Sequence, residues 1–112
     1  MMKAIKFFIL FSIVLLVNLV GCAKAEDPRE GFILEVNDQS ILVAQNISLV
    51  RYNELQDVSS EALIDQGGLE LIWLTYEKAD EFQKGDHVVF WIDGGVRESY
   101  PEQADAKKVE RK

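Results

Sequence analysis

Two rhythms of apolar residues divide the 112-residue chain. Residues 7–20 form one unbroken apolar run except for Ser12 and Asn18, behind a leader carrying Lys3 and Lys6. The run ends at Gly21-Cys22, after which Lys24, Glu26, Asp27, Pro28, Arg29 and Glu30 turn the chain polar. A charged start, an apolar middle and small residues at its end make the pattern of an export signal. A membrane-spanning helix needs about 20 apolar residues, and this run is shorter. From Gly31 the rhythm changes to that of strands. Phe32, Leu34 and Val36 alternate with Ile33, Glu35 and Asn37, and Ile41-Leu42-Val43-Ala44 follows a polar break, which predicts a hairpin. Asn37 and Asp38 supply residues that tolerate the left-handed backbone of a tight turn.

Beyond Leu49 the spacing becomes helical. Tyr52, Leu55, Ala62 and Leu63 fall near a 3.6-residue period, Ser59 or Ser60 can cap a helix with Glu61 in its first turn, and Gly67-Gly68 stops it. Strand composition returns at residues 69–76, and again at residues 86–93, whose centre is apolar on both faces and predicts a strand covered on two sides. Asp93-Gly94-Gly95 predicts a turn, residues 96–100 a short strand, and Val109 marks a last strand. The expected architecture is mainly β, a small OB-like antiparallel barrel with one short helix; a two-layer α+β sandwich is the alternative. A core this small leans on Phe32, Trp73, Phe90 and Trp91 for burial.

The length allows one domain after the signal: residues 1–21 as signal peptide, 22–30 as an anchored linker and 31–112 as the β domain. With Lys3 and Lys6 removed, ten basic residues face nineteen acidic ones, a net charge of −9. Such a body is a poor match for nucleic acid and is repelled by anionic lipid; acidity also serves plain solubility. One cysteine excludes an internal disulfide, so packing alone holds the domain. Leu19-Val20-Gly21-Cys22 resembles the lipobox of bacterial lipoproteins, and that resemblance implies an acylated Cys22 as mature N-terminus. Two or more acyl chains give lasting attachment where one does not. The alternative is a small residue near a cut after Ala23 or Ala25.

The mature region is similar to the DUF3221 family of small lipoproteins from bacilli and their relatives. The similarity rests on residues 31–36, on residues 82–88 and above all on the block Trp91-Ile92-Asp93-Gly94-Gly95-Val96-Arg97-Glu98-Ser99-Tyr100-Pro101-Glu102-Gln103-Ala104. Glu102 stands where an alanine is common in the family. The resemblance implies a lipid-anchored domain on the outer face of the plasma membrane and brings no catalytic residues.

Within that block, Arg97, Glu98, Ser99, Tyr100 and Pro101 form the candidate binding loop. Proline fixes φ near −65° and holds Tyr100 extended, so the segment can present polar groups to a ligand; equally, Tyr100 can lie on the barrel while Pro101 sets the turn. Asp86, Asp93 and Glu98 offer oxygen ligands for calcium without an EF-hand spacing, and are better read as solvated turn carboxylates. His87 is the single histidine, which excludes a multi-histidine zinc site, and it is expected on a strand edge facing water. No nucleophile elbow, phosphate loop or dinucleotide fingerprint occurs. Trp73, Phe90 and Trp91 would suit stacking on a glycan, but aromatics in a small barrel are core first. The expected function is a binding module for an envelope protein or glycan, with no catalysis and no cofactor. The alternatives are an envelope hydrolase using His87 with a nearby carboxylate, which places His87 in a cleft beside Asp86 or Ser99, and an accessory subunit of an envelope complex.

Overall fold

The computed structural model describes residues 27–112; the signal, Cys22 and the start of the linker lie outside the described residues. Five strands close into a barrel in the order β1 (Arg29–Val36), β2 (Ser40–Gln45), β3 (Glu70–Thr75), β5 (Glu102–Arg111), β4 (His87–Arg97). Neighbours are antiparallel except β3 and β5, which run parallel from the pairs Ile72–Glu102 to Thr75–Asp105. A parallel pair needs a long crossover, supplied here by residues 76–101. Closure leaves no long free edge. β1 begins at Arg29, inside the stretch read as linker, because Arg29 and Glu30 pair with Phe90 and Val89.

Strand side chains alternate between faces, and here both faces of half the barrel are covered. Ile33, Ile41, Val43, Ile72, Leu74, Val88, Phe90, Ala104 and Val109 fill the interior. Phe32, Leu34, Leu42, Ala44 and Leu71 point outward and are roofed by Tyr52, Leu55 and Leu63. Those last three come from two short helices, α1 (Leu49–Leu55) and α2 (Ser60–Gln66), where one helix was expected. Each helix is capped by a serine hydroxyl: Ser48 accepts from the Arg51 N–H and Ser59 from the Ala62 N–H. Both satisfy amides that helix starts leave unpaired.

A bulge between Ile33 and Glu35 turns β1 by one residue, so that Ile33 and Val36 both face the interior. The hairpin after Val36 is closed by the Asn37 N–H donating to the Ser40 carbonyl at 2.8 Å. Its three-residue connection needs no left-handed residue; the positive φ of a non-glycine residue falls instead on Asn46, at 56°.

Three sequence expectations change, concerning β4 and the two tryptophans. Asp93-Gly94-Gly95 is no hairpin turn: β4 continues to Arg97, and the three residues belong to an irregular stretch between the pairs Asp93–Asp105 and Arg97–Gln103. The doubly covered strands are β1 to β3, not β4, whose outward Val89 and Trp91 are half-buried with no helix over them. Trp73 and Trp91 are likewise only partly buried, and the barrel interior is mostly aliphatic around Phe90. Trp91 lies beneath the Lys108 ammonium, 5.1 Å from its ring centroid, a position suited to an amphipathic ring.

Candidate functional site

One end of the barrel gathers the start of β1, the end of β2, the start of β3 and the tip joining β4 to β5. Between them lies an open cleft of about 800 Å³ whose walls include Arg29, Gln45, Asn46, Glu70, Tyr100 and Glu102. At its base is Gln45, a polar residue only 4% exposed. A buried amide is costly unless its groups are bonded, and here they are. The Gln45 amide nitrogen donates to the Glu70 carbonyl and to Glu102 Oε1, both at 3.4 Å, while its oxygen accepts from Arg29 Nη1 at 3.3 Å. Arg29 also stands 3.7 Å from Glu102. Asn46 uses its left-handed backbone to leave β2, and its Nδ2 donates to Glu70 Oε2 at 2.9 Å. The result is a guanidinium, two amides and two carboxylates fixed by mutual bonds beside a phenol, a set suited to a polar, peptide-like or sugar-like ligand.

Of the predicted loop, Tyr100 lines this cleft, with 49% of its surface exposed. Arg97, Glu98 and Ser99 are exposed at the tip, and the Ser99 hydroxyl donates to the Pro101 carbonyl at 2.7 Å. The Tyr100–Pro101 peptide is cis. Arg29, Gln45 and Asn46 are not among the sequence-predicted site residues, and Glu102 appears there only as a departure from the family's usual alanine; Arg29 lies in the stretch read as linker. Cys22 lies outside the described residues.

His87 does not lie at a free strand edge, although its side chain is 36% exposed. It is paired with Phe32 across the β1–β4 seam and stacks on that ring, centroids 4.4 Å apart and planes 12° from parallel. Phe32 stacks in turn on Tyr52 at 5.1 Å, and burial raises the Tyr52 pKa above its ordinary value. The carboxylate nearest His87 is Glu30, 3.6 Å from Nε2. Ser99 spends its hydroxyl in its own loop, and Asp86 accepts from the Gln83 N–H at 3.0 Å and from Arg111 Nε at 3.2 Å. Among the described residues no three metal-ligating side chains converge, so Asp86, Asp93 and Glu98 act separately.

Glu30 is held below the usual carboxylate value of 4.5, first by its hydrogen bond to Lys112 and then by the charges of Lys112 and His87. A carboxyl whose pKa is lowered by folding contributes stability above its unfolded value and loses it as pH falls through its folded one. The thermal stability difference between the protein and its Glu30→Gln variant is therefore expected to be present at pH 7 and to shrink as the pH falls below the ordinary carboxylate value. The effect is small because the group is exposed. A gap between the two melting curves that persists unchanged at pH 3 would contradict it.

The family model DUF3221, described as a protein of unknown function, matches residues 30–110. The chain belongs to this family. A crystal structure of a yobA protein from Bacillus subtilis subsp. subtilis strain 168 is similar with a TM-score of 0.60 at 13% sequence identity, covering 79% of this chain and 97% of that one. At that identity the likeness speaks to the fold. No curated protein matches the chain.

Proposed function

We propose that this DUF3221 protein is a non-catalytic binding module, anchored through acylated Cys22 to the outer face of the plasma membrane, that takes an envelope protein or glycan in the cleft beside Tyr100. The observation that carries the binding reading is the buried Gln45 with its bonds to Arg29, Glu70 and Glu102. It preorganises a polar floor that a ligand meets without further ordering. The anchor reading rests on the lipobox-like residues 19–22, and the acidic body supports a partner other than nucleic acid.

Two outcomes are expected. Cys22→Ala moves the protein from the membrane to the soluble fraction, and mass spectrometry of the native protein finds acyl chains on Cys22. Affinity capture from membranes recovers a partner that Tyr100→Ala and Arg29→Ala variants lose. Equal recovery by both variants would remove the cleft from the proposal while leaving the anchor standing.

The hydrolase reading has one observation in its favour: His87 and Glu30 lie together on a groove formed with Phe32, Ser48 and Leu49. Turnover of wall or peptide substrates by the purified protein, abolished in His87→Gln, would replace the binding reading.

A further inference from the structure

Among the described residues, the large apolar side chains left exposed are Leu49 (60%), Val50 (69%) and Tyr100 (49%). Scattered apolar residues on a surface need no explanation; these are not scattered. Leu49 and Val50 open α1, directly after β2, while Tyr100 sits at the tip between β4 and β5. Both places belong to the end of the barrel where β1 begins. Tyr100 and Pro28 line the same cleft, and Leu49 lines a neighbouring groove that shares Glu30 and Asn46 with it. The chain therefore arrives from Cys22 beside the exposed apolar side chains.

The distance from Cys22 to Pro28 is six residues, which reach at most about 20 Å when extended. A sulfur buried with its acyl chains at the bilayer surface thus confines this end of the barrel to the neighbourhood of the headgroups, at high effective concentration. Tyrosine, with an apolar ring and a polar tip, favours that layer. The charges around the patch are mixed: Arg29 and Lys112 stand among Glu30, Glu70 and Glu102 in the cleft, and Arg51 pairs with Glu54 on α1. Their balance offers anionic lipid no net attraction.

We propose that the barrel stands end-on upon the bilayer, with Leu49 and Val50 seated in the headgroup layer of zwitterionic lipid and Tyr100 at its edge, where the cleft opens along the membrane surface to the envelope ligand of the proposed function. This rests on the acylated Cys22 of the proposed function. The contact is apolar and aromatic, so added salt does not release it, and anionic lipid weakens it by repelling the acidic body.

The test uses full-length acylated protein in phosphatidylcholine vesicles, with a nitroxide label on Val50→Cys, on Glu98→Cys or, at the opposite end of the barrel, on Asp38→Cys. Acylation leaves the introduced cysteine as the reactive thiol. Collision with a water-soluble nickel chelate is expected to fall several-fold at positions 50 and 98 relative to the same labels on unacylated Cys22→Ala protein, and to stay unchanged at 38. Adding Leu49→Asp and Tyr100→Asp to the Glu98→Cys protein should restore full collision. Equal chelate access at all three positions, with mass spectrometry confirming acylated Cys22, would overturn the docking while leaving the anchor intact. Unmodified Cys22 in protein that washes off the vesicles would overturn both.

Discussion

Phe90→Ala is expected to lower the folding free energy by about 4 kcal/mol, read as a fall in the urea midpoint with the slope of the transition unchanged. The ring is fully buried inside the barrel, packed among Ile33, Val88 and Val109. Removing it takes away apolar surface and leaves a cavity that a closed sheet cannot collapse to fill, since its strands are bonded on both sides. A domain of roughly 80 residues commonly holds about 4–12 kcal/mol in all, so this one change brings it close to unfolding. Trp91→Ala, one position along, serves as the comparison. Its ring lies on the outer face under Lys108, and the expected loss is less than half as large. Equal losses at the two positions would mean that the interior is not where the structure puts it.

Gly31→Ala should be nearly as damaging for the opposite reason. A Cβ at position 31 would lie 2.3 Å from the Ala44 carbonyl oxygen and 2.7 Å from Val43 Cγ1. The oxygen belongs to the neighbouring strand, and Gly31 is paired on its other side with Val88. Relief requires β1 and β2 to separate at the point where β1 also closes the barrel. Overpacking of this kind costs about 3 kcal/mol. Gly95→Ala, where an added Cβ meets nothing within 4 Å, should be close to neutral. A Gly31→Ala protein melting with the wild type would show that the close approach is absent in solution.

Much of the architecture is legible in the chain because it is local. The Ile41-Leu42-Val43-Ala44 run, the Ser59 cap and the stop at Gly67 lie where propensity and periodicity put them. What escaped depends on closure. The outward face of β2 is apolar because helices cover it, whereas residues 86–93, of like composition, predict a covered strand that the structure leaves half-exposed on its outer face; only the path of α1 and α2 tells the two apart. His87 stacks on Phe32 on the outer face because β1 meets β4, a fact no residue near His87 announces. The cleft was hardest to see. Gln45 and Glu102 are 57 positions apart, and a glutamine at the end of a strand looks like an ordinary solvated residue until the barrel closes over it. Tyr100 was visible because the proline after it marks the backbone directly. Its role beside Arg29 was not.

The parallel seam carries a consequence for how the molecule is made. β5 is hydrogen-bonded to β3 on one side and β4 on the other, so both await residues 102–111 before either has its full set of partners. A nascent chain lacking that segment holds an open, curved sheet that cannot shut. Commitment to the native state is thereby postponed until β5 has been made, because the other four strands cannot form a ring without it.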